Sequence, residues 1–447
     1  MALSWTDFFA QRTGSAVQYF AAPGATRTVM VCSHIWWTEQ IALAVLNRGC
    51  NLVLHYPLHA IYTDDRGLPK FDDLWKQILG TIREAKVDLI LGGNSAAMLV
   101  HPETGEMLQD AATQVTGRPL KLVNWWWDEV RTKPPLARAG VSPEGFIKCL
   151  ANANTINAIW DVDVKEELEA QFGLKNLVHL PLATMPDFWP KYFNTLETRP
   201  LAASFLGNCH FTAEWIEKDA DPLSVWAREI VRQKMGDPLR PMQKCIEQVT
   251  AKTPAAPADA ITSRWPTSRH FNGDAWGDFG RPIEFVNAAY MHFTRNRYMQ
   301  TAENHLRGKF ALIGKGWDKL PSLHGGYLRA NMEHAEEKSG HVYAQSQICL
   351  NLFGGSVHGG LPLRPYDIGA SGGLILTHDQ RELPSLFEPG RECLAFRTPE
   401  EMCGMMDEVR ASPARFNEIA LAGRRRVLAE HTWEHRMERL FAHVFGA

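Results

Sequence analysis

The chain has 447 residues, of which 45% are hydrophobic and 22% are charged, and its formal net charge is -3. This length and composition are typical of a globular protein of two or three domains. A net charge so close to zero gives no broad basic field, so we expect no nucleic acid among the partners.

The composition also bears on the compartment. We find no apolar run of the roughly 18–20 residues that a transmembrane helix needs, and the first residues lack the basic start and apolar core of a signal peptide. The 8 cysteines are scattered, without a Cys-x-x-Cys pair. This pattern fits a reducing compartment and argues against a structural zinc site. We therefore predict a cytoplasmic protein with no transmembrane segment.

Short apolar runs alternate with helical patterns in the first part of the chain. The runs that are typical of buried strands cover residues 28–32, 52–55, 87–91, 119–123, 156–160 and 177–180. Helical spacing follows several of them, over residues 39–47, 71–84 and 164–172. This alternation predicts a doubly wound α/β domain. The proline-punctuated stretch 181–200 predicts a linker.

A second α/β domain begins with the apolar run 201–206. Its strand–helix rhythm breaks over about 210–290, which we interpret as a helical insertion without a catalytic signature. A helix is predicted over 285–306, and the strands that follow cover residues 310–313, 348–353, 374–378 and 393–396. Helices are predicted over 399–409, 413–428 and 432–445, and the last two are rich in arginine and suited to packing across both domains.

The most informative stretch is a strand, a glycine-rich loop, a helix and a second strand. The loop covers residues 354–360, and the helix that follows has Pro365 in its first turn and Gly372-Gly373 at its exit. The N-terminus of such a helix can bind a phosphate, because unpaired N–H groups and the helix dipole point there. Asp367 is expected in the first helical turn, where it could accept hydrogen bonds from a ribose. Glycine-rich turns of this kind also occur in α/β proteins with other functions.

The order of motifs in the last third of the chain resembles that of the spore-maturation-type (CgeB-like) glycosyltransferases, which have the GT-B fold. The stretches that carry the resemblance are residues 312–317, 343–352, 363–367, 372–377, 382–390 and 422–433. Trp127-Asp128 and residues 180–183 match more loosely, and the insertion matches no family that we can name.

The resemblance implies an α/β protein of the GT-B fold, in which two Rossmann-like domains face each other across a cleft. We expect an acceptor-side domain over 1–195 and a nucleotide-sugar-binding domain over 196–447. The resemblance also implies transfer of a sugar from a nucleotide-sugar donor to an acceptor, which could be a protein, a glycan or a small molecule. No metal and no cofactor is expected, because helix N-termini and Arg or Lys can stabilise the diphosphate leaving group in place of a cation.

Many retaining relatives carry a Glu-x7-Glu pair, whose second Glu holds the ribose. This chain has Asp367 at the second position and Gly359 at the first. We assign the ribose role to Asp367 only, and the stereochemical outcome stays open.

The candidate donor-binding residues follow strand ends or lie in the glycine-rich stretch. They are Gly207, Asn208, Lys315, Gly316, Trp317, His358, Gly359, Gly360, Arg364 and Asp367. Lys315 could instead be a solvated loop lysine, Arg364 could form a surface salt bridge, and His358 could be incidental. Arg295 and Arg297 could reach the phosphates, although a charged helical face is the commoner role.

The catalytic base is expected in the first domain, beyond a strand's C-terminal end. The candidates there are Asp128 and His34, although Asp128 could instead cap a helix or bind Arg131, and His34 could be a core residue. The Asp161-Val-Asp163 sequence resembles the metal motif of another transferase fold. Asp163 directly precedes a predicted helix, so we interpret it as an N-cap.

Two other functions are compatible with the sequence. Gly359 in place of a carboxylate fits a nucleotide-sugar-binding protein with a degenerate site. A non-hydrolysing sugar epimerase shares the two-domain architecture. Release of nucleotide distinguishes the transferase from the binding protein, and conversion of a nucleotide-sugar without acceptor identifies the epimerase.

Overall fold

The computed structural model of the protein describes residues 3–13, 15–32, 36–56, 71–94, 96–101, 103–132, 143–208, 216, 218–252, 281–307, 309–317, 328–330, 336–353 and 357–446. These residues form two compact units. The first comprises the described residues up to Pro181 together with the segment from Trp433, and the second comprises those of 182–265 and 282–432. The sequence placed the boundary between residues 195 and 196.

The first unit is built on a seven-stranded sheet, as far as the described residues go. Its strands are β1 (Val17–Phe20), β2 (Thr28–Cys32), β3 (Asn51–His55), β4 (Leu89–Gly93), β5 (Lys121–Trp126), β6 (Thr155–Ile159) and β7 (Leu177–His179). They lie in the order β1-β3-β2-β4-β5-β6-β7, and every pairing is parallel except that of β1 with β3. The chain adds β3 on one side of β2 and β4 on the other, so the point where the strand order reverses lies between β2 and β4.

Helices cover both faces of this sheet. They are α1 (Trp5–Ala10), α2 (Trp36–Asn47), α3 (Phe71–Glu84), α4 (Leu108–Thr116), α5 (Pro143–Ala151), α6 (Val162–Phe172) and, from the far end of the chain, α15 (Trp433–Phe445). On one face, apolar residues of α3 and α4 pack on Met30, Val53, Ile90 and Leu122 of four adjacent strands. The Trp433 indole of α15 meets Trp125 of β5 edge-on, at 5.3 Å between ring centroids.

The second unit is built on a six-stranded, wholly parallel sheet among the described residues. Its strands are β8 (Leu201–Leu206), β9 (Phe310–Ile313), β10 (Leu328–Ala330), β11 (Ser346–Asn351), β12 (Ile375–His378) and β13 (Leu394–Phe396). The order β10-β9-β8-β11-β12-β13 reverses between β8 and β11. In an open α/β sheet, ligands bind at this reversal, outside the carboxyl ends of the strands.

Some of the helices of the second unit belong to the predicted insertion. They are α7 (Pro222–Gly236), α8 (Met242–Thr250), α9 (Arg281–Leu306), α10 (Glu336–Gln345), α11 (Leu363–Ala370), α12 (Leu383–Leu386), α13 (Pro399–Ala411) and α14 (Pro413–Glu430). Helices α7 and α8 form a separate apolar cluster with the first half of α9, around Trp226, Ile230 and Tyr290. The second half of α9 packs on the sheet through Tyr298 and Met299. One helix therefore joins the core of the insertion to the core of the sheet.

The predicted strands and helices occur in the predicted order, with local differences. Strands β1 and β10 and helices α1, α4, α5, α10 and α12 were not predicted. The helix after β6 is capped by Asp161, whose side chain accepts from the N–H groups of Asp163 and Val164, so the prediction of Asp163 as the cap was wrong. The two terminal helices are divided between the units, since α14 belongs to the second unit and α15 to the first.

Candidate functional site

The centre of the candidate site is the strand-order reversal of the second unit. Gly207 and Asn208 follow β8 there, and Leu352 and Phe353 follow the neighbouring strand β11. The predicted donor residues Gly207 and Asn208 therefore lie at the position where an open α/β sheet binds its ligand.

Hydrogen bonds join the turn after β8 to the turn after β9. Gly207 N–H donates to Ile313 O at 2.8 Å, and Lys315 N–H donates to Asn208 Oδ1 at 2.9 Å. A Cβ atom on Gly314, whose φ is +146°, would lie 2.2 Å from Gly207 O, so only glycine allows the two turns to approach this closely. The Trp317 indole N–H donates to Gly207 O at 2.7 Å. Trp317 is buried and supports the turn, while Lys315 is exposed and Gly316 is half-buried.

The Arg364 guanidinium lies at this reversal. It donates from Nη1 to Asn351 Oδ1 at 2.9 Å and to Leu352 O at 3.2 Å, and it stacks over the Phe205 ring at 5.0 Å. A Cβ atom on Gly207 would lie 2.9 Å from Arg364 Nη2. Burial lowers the pKa of Arg364 from its ordinary value, but arginine starts so high that the group stays charged. Its partners in these contacts are neutral, so its positive charge is not cancelled by them.

A second guanidinium reaches the same turn. Arg295 of α9 is buried, donates from Nη1 to Asn208 O, and lies over the Phe205 ring at 5.9 Å. Its helical neighbour Arg297 is exposed. Two arginines from different helices thus converge on the Gly207-Asn208 turn, and the sequence had favoured a plain charged helical face for Arg295.

The described part of the glycine-rich loop is buried. His358 is fully buried, and Gly359 O accepts from the N–H of Glu382 at 3.0 Å. Gly360 is also buried, and residues 354–356 of the loop lie outside the described part of the chain.

Asp367 lies in the second turn of α11, because the helix begins at Leu363 and has no acidic residue in its first turn. The expectation that Asp367 lies in the first turn was therefore wrong. The Thr184 hydroxyl donates to Asp367 Oδ1 at 2.6 Å, and the Trp189 indole N–H donates to Thr184 Oγ1 at 2.7 Å. Burial raises the pKa of Asp367 to about 8, against the weaker lowering effects of the Thr184 hydrogen bond and of Arg364. The sequence did not identify Thr184, which contacts Asp367, or Trp189, which contacts Thr184, because both contacts depend on folding.

In the first unit, Asp128 follows β5 and is held by Asn94, which follows β4. Asn94 adopts a left-handed conformation with φ of +51°. Its Nδ2 donates to Asp128 Oδ2 at 3.0 Å, and its Oδ1 accepts from the N–H groups of Trp127 at 2.8 Å and Asp128 at 3.2 Å. Arg131 pairs with Glu129 and Glu167. His34 lies outside the described residues.

Other features bear on metals, membranes and thiols. Within the described residues, no three His, Cys, Asp or Glu side chains are grouped so as to hold a metal ion. No described helix combines the length and apolar character that crossing a membrane requires. The seven cysteines that are described carry free thiols.

Comparison with known proteins covers both the sequence and the fold. Residues 294–442 match a family model described as glycosyl transferase-like. No curated protein matches the chain. The structure is similar to that of sucrose-phosphate synthase from Thermosynechococcus elongatus, with a TM-score of 0.52, 9% identity, and coverage of 94% of this chain and 99% of the other.

Two further solved structures have lower scores. The HepE protein of Anabaena in complex with UDP has a TM-score of 0.49 and 7% identity, over 94% of this chain and 100% of the other. A glycosyltransferase from Rickettsia africae has a TM-score of 0.48 and 9% identity, over 94% of this chain and 98% of the other.

These findings confirm two predictions, the fold and the general type of enzyme. The α/β GT-B fold is confirmed by the two Rossmann-like sheets together with the similarity to sucrose-phosphate synthase. The prediction of a glycosyltransferase is confirmed by the family match, which runs from the second half of α9 into α15 and includes Arg295, Lys315, Arg364 and Asp367.

Proposed function

We propose that the protein transfers a sugar from a nucleoside-diphosphate sugar to a hydroxyl group of an acceptor, without a metal ion. In this reaction the acceptor oxygen forms a bond to the anomeric carbon, and the bond from that carbon to the diphosphate oxygen breaks. The acceptor proton goes to a base, and the diphosphate leaves with an additional negative charge. The protein must therefore stabilise negative charge on the leaving group.

The observation that carries this proposal is the convergence of Arg364 and Arg295 on the Gly207-Asn208 turn. Two fixed guanidinium groups beside one turn suit a diphosphate, since arginine forms short, charge-assisted hydrogen bonds with phosphate oxygens. We assign the donor diphosphate to this turn, with Lys315 as an exposed third cation. The arginines take the part that a divalent cation plays in other transferases.

Asp367 is assigned to the ribose. It lies one helical turn after Arg364 on α11, so both side chains lie on one side of the helix. With a pKa near 8, its carboxyl can donate as well as accept at neutral pH, and a ribose hydroxyl can do both. We assign the role of base to Asp128, whose carboxylate is oriented by Asn94, and we keep the CgeB-like subtype as part of this proposal.

The experiment is to incubate the purified protein with UDP-, GDP- and dTDP-sugars and to measure release of the nucleoside diphosphate. We expect release with at least one donor, and loss of release in Asp367→Ala. The matched control is Asp407→Ala, an exposed aspartate of α13 in the same unit. Release that is unchanged in Asp367→Ala contradicts the assignment of the ribose site.

Two additions to the experiment separate the alternatives. Turnover that persists in excess EDTA supports metal independence, and turnover that EDTA abolishes contradicts it. Binding of a donor without release of nucleotide over long incubation contradicts transfer and favours a nucleotide-sugar-binding protein.

A further inference from the structure

A cavity of about 580 Å³ lies in the second unit, beside the insertion. Its volume is within the range of cavities that bind small molecules. Helix α7 contributes one wall, helix α9 a second, and residues 397–400, which run from the end of β13 into α13, a third. The insertion therefore forms this cavity together with the part of the unit that carries the family match.

The cavity and the Gly207-Asn208 turn lie on different sides of α9. Arg295 and Arg297 are two residues apart on this helix, so their side chains leave it about 200° apart. Arg295 donates to Asn208 O in the turn, whereas Arg297 lines the cavity. Arg297 is thus directed away from the turn to which we assign the diphosphate, and it is available to a different ligand.

The deeper lining of the cavity is apolar. Val231 and Tyr298 are buried there, and Met235 and Phe293 are half-buried. The Tyr298 hydroxyl donates to Arg397 O at 2.7 Å, which joins the wall from α9 to the residues after β13. A ligand that suits this lining has an apolar body.

The exposed rim of the cavity is charged, and two of its four arginines have carboxylate partners. Arg232 pairs with Glu229 at 2.6 Å, and Arg397 pairs with Asp379 at 2.9 Å. Glu400 also lines the cavity and is exposed. These groups give the rim both signs of charge.

The other two arginines have no carboxylate partner among the described residues. Arg228 is half-buried and donates from Nη1 to the carbonyl oxygens of Ile216 and Asp219, so its Nε and Nη2 are left for a ligand. Arg297 is exposed and forms no ion pair within the described part of the chain. Guanidinium groups bind carboxylate and phosphate oxygens through parallel N–H donors. The cavity therefore offers two positive groups to an anion.

We propose that this cavity binds a small organic anion, in which a carboxylate or phosphate group is joined to an apolar body. The acid group pairs with Arg228 and Arg297, and the apolar body packs on Val231, Met235 and Phe293. The inference gives the insertion a role, because α7 supplies Arg228 and part of the apolar lining. It does not depend on the proposed function. The competing explanation is that the cavity is a water-filled gap where the insertion meets the rest of the unit.

The test uses probes that separate the acid group from the apolar body. The probes are 1-naphthyl phosphate, 1-naphthoate, the neutral 1-naphthol and inorganic phosphate. Binding to the full-length protein is followed by NMR of the methionine methyl groups, of which there are 14. The Met235 signal is identified by its absence from Met235→Leu. Because Met235 lines the cavity, a probe that binds only at the Gly207-Asn208 turn is not mistaken for a ligand of this site.

We expect the Met235 signal to shift with at least one of the two naphthyl acids, and the acid that binds more tightly identifies the preferred anion. The neutral 1-naphthol and inorganic phosphate should each bind at least about tenfold more weakly, because each lacks one of the two interactions. A Met235 signal that shifts with neither acid overturns the inference. Affinity for 1-naphthol equal to that for the acids also overturns it.

Charge variants test the role of the arginines. We expect Arg297→Glu to weaken binding of the naphthyl acid by about tenfold or more, since it replaces an attractive charge with a repulsive one. The matched control is Arg391→Glu, at an exposed arginine that pairs with Glu388, and it should stay within about twofold of the native protein. Glu400→Gln removes a negative charge from the rim and should not weaken binding.

Equal affinity in Arg297→Glu and the native protein overturns the inference, as does equal weakening in Arg297→Glu and Arg391→Glu. Arg297 is exposed, so its replacement is not expected to prevent folding. The assay contains no nucleotide-sugar, so its failure leaves the proposed function unaffected.

Discussion

Arg364 combines two properties that the proposed chemistry needs at one position. Its guanidinium is held by Asn351 Oδ1, by Leu352 O and by the face of Phe205, and it keeps its charge at all physiological pH values. A planar group with several donors can make these contacts and still present N–H groups to a ligand. A lysine has the charge but not the geometry.

We therefore expect Arg364→Lys to weaken binding of the donor or its nucleoside diphosphate by about tenfold or more, which corresponds to about 1.4 kcal/mol. Calorimetric titration of the native and variant proteins measures this difference. The control is Arg391→Lys, an exposed arginine that pairs with Glu388. Equal affinity in Arg364→Lys and the native protein would remove Arg364 from the donor site.

The raised pKa of Asp367 predicts how the stability of the fold depends on pH. Its ordinary pKa is 3.8, and burial raises the pKa to about 8 in the folded protein. Between these values the unfolded chain carries a carboxylate while the folded protein holds a proton, so folding becomes less favourable as the pH rises. The cost grows by up to about 1.4 kcal/mol per pH unit and stops growing above the folded pKa.

Asp367→Asn removes this titration and keeps an oxygen that can accept from Thr184. We expect the variant to gain stability relative to the native protein as the pH rises from about 4 to about 8, while nucleotide binding weakens. Thermal unfolding of both proteins across this range measures the difference in Tm. Parallel curves would show that the carboxyl titrates normally.

At the residue level, the sequence identified the positions next to strand ends. Gly207, Asn208 and Lys315 could be placed because parallel strands present their carboxyl ends at one edge of a sheet. Thr184 could not be placed, because it is distant in sequence from Asp367 and meets it only through tertiary packing.

Helix ends were less predictable than helix positions. Two aspartates lie at the start of helix α6, and we predicted the wrong one, Asp163, as the cap, because either side chain could accept the first N–H groups. The structure selects Asp161 through its bonds to the N–H groups of Asp163 and Val164, at 2.9 Å and 3.3 Å. A difference of two residues at a helix start changes which carboxylate is bound to the backbone.

The cap gives a prediction at the level of the element. We expect Asp161→Ala to lower the free energy of unfolding by about 1 kcal/mol, the usual value for loss of an N-cap. Glu169→Ala on the same helix removes only a surface pair with Lys165 and should cost a few tenths of a kcal/mol. Urea denaturation of both variants provides the comparison, and equal effects would contradict the assignment of the cap.

The described residues form two units, and the chain does not finish the first before it starts the second. The last helix, α15, belongs to the first unit. Trp433 donates from its indole to Gln40 Oε1 at 2.6 Å, and Arg436 donates from Nε to Pro181 O at 2.8 Å. The arginine-rich pattern predicted that this helix packs across both domains, whereas the structure assigns it to the first unit.

We expect Trp433→Ala to destabilise the first unit by about 3–5 kcal/mol, as is usual for loss of a buried aromatic side chain. The effect should appear as faster hydrogen exchange in α2, which is distant in sequence. His443→Ala, on the exposed side of α15, is the control and should leave exchange unchanged. Faster exchange confined to α15 would contradict the prediction.

The return of α15 has a consequence for biosynthesis. A ribosome releases the parallel strands of the first unit early, but the indole of Trp433, which packs on Trp125, emerges only after the second unit has been made. Until then an apolar face of the nascent first unit stays uncovered, and its packing is completed only when α15 has been synthesised. The first unit therefore becomes fully stable only in chains whose second unit has already been synthesised.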